Sequence, residues 1–299
     1  MKRRDFCKQL TTAALLPAVY PVFNTINTQQ DQADAVWVEG GEPKALLTTA
    51  LDHLGGLSRF ISKGDVVVIK PNIGWDRAPE YAANTNPELV EALIEAAFAS
   101  GAKTVKVFDR TCNTAQRCYR NSQIEEKAKT AGAHVFHFRE NDCRTIALKE
   151  GKLLKEWPVF REYLEADKVI NVPIAKHHNI SKVTLGFKNL MGVLGDDRGI
   201  IHEDFADKII DIDSQLLPTL TIIDAYRILI DHGPRGGNLE DVKLTKTLIA
   251  SPCIATADWL ALRLFGYQLE DVGHVHEAFA RGLNKYDPDT VNLKRISLS

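Results

Sequence analysis

Between Lys168 and Gly192 the chain gathers four ionisable side chains and an amide just past a run of β-formers. Val169-Ile170-Asn171-Val172 runs into Pro173, then Lys176, His177 and His178, then Gly186-Phe187-Lys188-Asn189-Leu190-Met191-Gly192. Amines and imidazoles are the side chains that hold anions and exchange protons near neutral pH. In open α/β sheets, ligands sit beyond the carboxyl ends of strands, which is where this segment falls. Lys176, Lys188, His177 and His178 are therefore the candidate catalytic residues, for acid–base chemistry on a small carboxylate or phosphate.

Other strand ends add to them. Lys70-Pro71-Asn72 follows Val66–Ile69, Asp109-Arg110 follows Thr104–Phe108, and Asp224 closes Thr219–Ile223. A parallel sheet lines such ends along one edge, so Lys70, Asn72, Asp109 and Asp224 join the candidate substrate-binding set. Taken singly, each lysine also reads as an ordinary solvated charge. Taken together, Lys70, Lys176 and Lys188 would repel one another and lose basicity unless an anion sat among them. Ser181 is placed to cap the helix carrying Lys188, whose first amides would strengthen anion binding. The loop Asp231-His232-Gly233-Pro234-Arg235-Gly236-Gly237-Asn238 reads as a tight connection or a flap, with Gly236 and Gly237 near the ligand.

A second reading uses a divalent metal. His177, His178 and His202 with Asp224 are the ligand types of a zinc or iron centre, although their spacing matches no dedicated motif. A third is an envelope protein that binds a ligand or cofactor without turning it over. His274-x-His276 reads as the opening of a surface helix.

The elements that must position these groups alternate. The β-branched run Val66–Ile69 has the pattern of a strand buried on both faces. Asn86, Pro87 and Glu88 mark a helix start and Gly101 its end, with Leu89, Val90, Leu93, Ile94 and Ala97 on one face. Further strands are expected at Thr104–Phe108, Val135–Phe138, Lys168–Val172, Thr219–Asp224 and Thr247–Ala250. Helices are expected at Ser122–Ala131, Phe160–Glu165, Phe205–Leu216 and Ala255–Phe265. Such alternation gives an α/β fold, a mostly parallel open sheet with helices on both faces. The layering is Rossmann-like but lacks the glycine-rich dinucleotide fingerprint, and neither a P-loop nor G-x-S-x-G occurs.

With 299 residues, 44% hydrophobic and 25% charged, the chain reads as one globular domain from residue 32 onward. Its net charge of −2 lacks the basic footprint of a nucleic-acid binder. Residues 1–31 read as an export signal and linker. Lys2-Arg3-Arg4-Asp5-Phe6-Cys7-Lys8 followed by Ala13–Tyr20 resembles a twin-arginine signal, which implies the twin-arginine machinery as a partner and a periplasmic or otherwise exported protein. No stretch of about 18 apolar residues follows, so no integral span is expected in the mature chain. Beyond Cys7, Cys112, Cys118, Cys143 and Cys253 are expected as free thiols, with a Cys112–Cys118 bridge as the alternative in an oxidising compartment.

Together these motifs resemble the family called domain of unknown function 362. The resemblance rests on Lys70-Pro71-Asn72, Thr85-Asn86-Pro87-Glu88, Asn171-Val172-Pro173 with Lys176 and His177 or His178, Lys188-Asn189-Leu190-Met191-Gly192, His202, Asp224-Ala225, Gly233-Pro234 with Gly236-Gly237, and Ala250-Ser251 with Asp258. It implies site positions at Lys70, Asn72, Lys176, Lys188 and Asp224. It adds Asn189 as a binding residue and Asp258 as a buried orienting group or cap. Several family members look like iron–sulfur proteins because they carry a ferredoxin-like run of cysteines. This chain has no ferredoxin-type motif, so cluster binding is not carried over to it; the cofactor is left open, with a divalent metal as the candidate named above.

Overall fold

The computed structural model describes residues 32–299, so the export signal expected upstream lies outside the described residues. The chain enters on strand β1 (Ala35–Glu39) and helix α1 (Pro43–His53). Strand β2 (Val66–Pro71), helix α2 (Pro87–Ala99) and strand β3 (Thr104–Val107) form the expected βαβ unit. Helix α2 starts as its residues dictate: the Asn86 side chain accepts the Glu88 N–H at 2.9 Å, and Pro87 fills the position where no donor is needed.

Helices α3 (Ala115–Asn121) and α4 (Ile124–Thr130) lead to strand β4 (His134–Val135), shorter than the expected run to Phe138. A separate antiparallel pair, β5 (Cys143–Ala147) and β6 (Glu156–Phe160), and helix α5 (Arg161–Leu164) come before strand β7 (Lys168–Val172). Strands β8 (Ile174–His178) and β9 (Lys182–Thr184) and helix α6 (Gly186–Leu190) hold the Lys/His-rich segment. Helix α7 (Phe205–Asp213), strands β10 (Leu220–Leu229) and β11 (Val242–Ser251), helices α8 (Ile254–Ala261) and α9 (Gly273–Ala280), and strand β12 (Leu293–Ser297) complete the order.

The main sheet runs β12-β1-β11-β10-β7-β2-β3-β4, with β8 beside the far half of β10 and β9 beyond it. Along that path only the β11 pairings are antiparallel, so the sheet is mostly parallel, as an α/β fold requires. Side chains alternate between its two faces with the period of the pleat. Val67 and Ile69 pack among residues of α1 and α2, whereas Val68 packs among residues of α6 and α7. Covering helices on both faces explain why β2 is apolar from Val66 to Ile69. Residues Gln32–Ser299 form one compact unit, and no helix among the described residues is long and apolar enough to cross a membrane.

Two expectations change. His274 does not open a surface helix: it is 1% exposed, because α9 packs against α7 and turns its first residues inward. The Lys/His-rich segment is a second strand, β8, not a loop past β7. Pro173 breaks the pairing with β2, but the extended chain picks up β10 at Asp224 and continues.

Candidate functional site

Strand β8 decides which side chains meet. Alternation along an extended chain puts Lys176 and His178 on one face and His177 on the other. Lys176 and His178 line a cavity of about 570 Å³ with Lys188 from α6, Asn72 from the end of β2, and His202 and Arg198 from the segment before α7. That volume suits a small ligand. Trp75, Met191 and Ile180 supply its apolar wall, and Cys112 and Pro234 also border it.

The three lysines converge on this strand edge, but they are not three free cations. Lys70 is fully buried, and its Nζ lies 2.7 Å from Asp109 Oδ1. The same Nζ donates to the Pro71 carbonyl at 2.9 Å and to Asn189 Oδ1 at 3.2 Å. Burial still outweighs Asp109 and pulls its pKa down. Lys70 does not border the cavity; its role is to brace the floor. Asp109 is spent on the same task, since its other oxygen accepts the Ile73 N–H at 2.6 Å.

An amide chain links that pair to the cavity. Asn189 Oδ1 accepts from Lys70 and from Asn72 Nδ2 (3.0 Å), and Asn72 Oδ1 in turn accepts from Lys176 Nζ (3.0 Å). Asn189 Nδ2 donates to the Lys70 carbonyl and to Asn171 Oδ1. Each amide is thereby held in one orientation, which fixes Lys176 from below. The second partner of Lys176 is the Ala83 carbonyl at 2.5 Å. Its third N–H is left for the cavity.

Lys188 stands otherwise. Its Nζ lies 2.8 Å from Met191 Sδ, 3.1 Å from His202 Nε2 and 4.8 Å from the centre of the Phe205 ring. Neither Lys176 nor Lys188 has a carboxylate within 4.0 Å among the described residues. Burial without a counter-charge lowers both pKa values to about 7. His202 is lowered too, by burial first and by the Lys188 ammonium second.

The His178 ring stacks on His202 with centroids 6.3 Å apart. Its Nδ1 accepts the backbone N–H of Ile180 (3.1 Å) and of Ser181 (3.4 Å), which places the proton on Nε2. Burial and the neighbouring lysines push its pKa far down, so it stays a neutral donor.

Several expected site residues lie elsewhere. His177 Nδ1 accepts the Gly233 N–H at 3.1 Å, so this ring anchors the flap and does not reach the cavity. A Cβ at Gly233 would collide with the His177 carbonyl, which is why glycine stands there. Asp224 is fully buried, and its oxygens accept the Asn86 N–H (2.7 Å) and the Tyr226 N–H (3.0 Å). It ties α2 to β10 and does not border the cavity. The metal set His177, His178, His202 and Asp224 therefore does not converge. Gly236 packs on Leu229 and Gly237 on Arg77; neither borders the cavity.

Ser181 does not cap α6. That helix is capped by Asp258, whose two oxygens accept the N–H groups of Gly186 (2.6 Å) and Phe187 (3.0 Å). Those amides are consumed and add nothing to anion binding. Asp258 thus has the orienting role, holding the start of the turn that carries Lys188. Arg198, bound to the carbonyls of Arg110, Met191 and Thr111, is a cavity residue the sequence reading missed; its Gly- and Asp-rich loop was the available signal. The four cysteines of the described residues are free thiols. Asp231, His232 and Asp241 bring three ligand-type atoms within 4.8 Å of one another, in a group the sequence did not mark.

A family model described as Domain of unknown function (DUF362) matches residues 67–263. The chain belongs to that family. The matched span carries every lysine, asparagine and histidine of the cavity, from Asn72 to His202, and the Asp258 that supports α6. The chain is also 27% identical over 230 residues to the thylakoid-associated protein sll1697 of Synechocystis sp. (strain ATCC 27184 / PCC 6803 / Kazusa), an alignment covering 74% of this chain and 70% of that protein. Among solved structures, the lactate racemase apoprotein from Thermoanaerobacterium thermosaccharolyticum superposes with a TM-score of 0.44 at 10% identity, over 85% of this chain and 57% of that one.

Proposed function

We propose that this family member is an α/β enzyme acting on a small anionic molecule, with Lys176 and Lys188 holding its carboxylate or phosphate oxygens. One observation carries the reading: two buried ammonium groups face one cavity, and among the described residues neither has a carboxylate partner. An anionic ligand supplies the missing charge and offsets the desolvation of both amines.

The chemistry follows from the contact between Lys188 and His202, 3.1 Å apart. With the lysine near neutrality, ammonium and amine forms are both accessible, so the pair takes up or gives up a proton at little cost. His178 contributes a neutral N–H beside it. A carboxylate held on Lys176 would bring its neighbouring C–H to this pair, and proton abstraction next to a carboxylate is the reaction class the site fits. The metal alternative has lost its first ligand set, and the group Asp231, His232 and Asp241 is the place among the described residues where a divalent ion would find three donors.

The deciding experiment combines two measurements on the full chain. Calorimetry with sulfate and with a panel of small carboxylic acids should show binding that Lys176→Met and Lys188→Gln weaken. Incubation of bound acids in D2O should show deuterium entering the carbon next to the carboxylate, slowed by about 100-fold or more in Lys188→Gln. Affinities that do not change in either variant would remove the lysines from the role. Binding with no exchange in any acid would leave an anion-binding protein without this catalysis.

The segment Lys2-Arg3-Arg4-Asp5-Phe6-Cys7-Lys8 supports a further reading, export by the twin-arginine route. Replacing Arg3 and Arg4 by lysine should trap the protein in the cytoplasm of a host that exports the wild type. Equal export of both would end that reading.

A further inference from the structure

Gly74 and Trp75 border the Lys/His cavity, and the next two residues, Asp76 and Arg77, border a second one of about 550 Å³. The same division falls across the flap: Pro234 faces the first space and Gly237 the second. The second cavity carries two guanidinium groups, Arg77 and Arg120, beside Asn121 and Gln123. Among the described residues neither arginine has a carboxylate within 4.0 Å.

The acid of this cavity is not free to neutralise them. Asp76 Oδ2 pairs with Arg117 at 2.5 Å, and its Oδ1 accepts from Asn121 Nδ2 at 2.5 Å. Arg77 is held in place from behind, with Nη1 donating to the Asp76 carbonyl at 3.1 Å. Its Nε is buried without an acceptor. Gly237 lies over the guanidinium at φ +132°, where an added Cβ would stand 3.1 Å from Nη2 and 3.6 Å from Nε. The glycine leaves the planar group room; Nε itself is sealed from solvent, and among the described residues no hydrogen bond uses Nη2. A buried N–H with no acceptor is costly. A planar fork of N–H donors matches the paired oxygens of a phosphate group, as it does those of a carboxylate.

We infer that Arg77 and Arg120 form a second anion site, one that takes a phosphate group and is separate from the one built on Lys176 and Lys188. Gln123 adds an amide group at its edge, Asn121 is engaged by Asp76 and by Arg120 Nε, and Gly237 admits the ligand-bearing geometry of Arg77.

Arginine labelling with phenylglyoxal, read by peptide mass spectrometry on the full chain, tests this directly. Inorganic phosphate, compared with chloride at matched ionic strength, should slow labelling of Arg120 by about tenfold once it reaches ten times its Kd. Arg77→Ala should abolish that protection, and Gly237→Ala should reduce it by displacing the guanidinium while leaving its charge. Lys188→Gln should retain it in full, which separates this site from the first. Equal labelling in phosphate and chloride would overturn the inference. So would protection that survives Arg77→Ala, or that disappears in a folded Lys188→Gln protein.

Discussion

Lys188 Nζ sits 3.1 Å from His202 Nε2, a contact between two bases with no carboxylate within 4.0 Å of the lysine among the described residues. In water both would carry charge over part of the pH range; here burial forces the lysine down to about 7 and the imidazole lower still. The site thereby keeps a proton that is easy to move. The same cause gives Lys176 a value of about 7 beside its amide and carbonyl partners.

This fixes the sign of two pH effects. A lysine with a lowered folded-state pKa has released its proton while the unfolded chain still holds one. Between about pH 7 and about pH 10, stability should therefore rise with pH, by about 1 kcal/mol per unit for each lysine. Anion binding should run the other way, because it needs the ammonium form. Denaturant melts and sulfate calorimetry from about pH 6 to about pH 9 check both signs. Sulfate keeps its charge across that range. Affinity that holds constant above neutrality would contradict the lowered lysines.

Lys176→Met separates charge from packing. The substitution removes a buried ammonium that has no carboxylate partner among the described residues, so the fold should lose little stability, even though Asn72 Oδ1 and the Ala83 carbonyl lose their donor. Sulfate affinity should fall by about 10- to 100-fold, the worth of a charge-assisted hydrogen bond. Calorimetry measures it, and a wild-type Kd would exclude Lys176 from the site.

The sheet was legible because strand and helix periods are strong where both faces are buried, as in Val66–Ile69 and Leu89–Ala97. The lysines were legible because they follow such strands. Four things were not. Lys70 and Asp109 are far apart in sequence, so their pairing is a tertiary fact. Pro173 read as the end of a strand, which hid the alternation in Ile174–His178 that sorts Lys176 and His178 from His177. The cap of α6 comes from Asp258 on a helix well downstream, and local spacing favoured Ser181, whose hydroxyl instead donates to the Val183 carbonyl. Short strands such as β1 and the edge strand β12 carry too few residues for a period to show.

Gly192 should tolerate no side chain. It lies against the buried ion pair, and an added Cβ would overlap Asp109 Oδ1 and stand 2.5 Å from Lys70 Nζ. Both groups are fixed by other bonds and cannot move aside. Gly192→Ala should cost about 3–5 kcal/mol, the scale of a buried pair forced apart. Urea unfolding gives the number, and a midpoint equal to wild type would show that the floor of the site is softer than its hydrogen bonds indicate.

Asp258 tests whether the turn under Lys188 matters to binding. Burial raises its pKa to about 7, while the Gly186 and Phe187 amides favour its charged form. An asparagine keeps one acceptor but turns an NH2 group toward the other amide, leaving two donors face to face. Asp258→Asn should therefore lower stability by about 1–3 kcal/mol and let α6 shift. Because Lys188 rides on that helix, sulfate affinity should drop as well, whereas labelling of Arg120 and its protection by phosphate should not change. A variant that loses stability yet binds sulfate as the wild type does would make Asp258 a purely structural cap, with Lys188 positioned by Met191 and His202 alone.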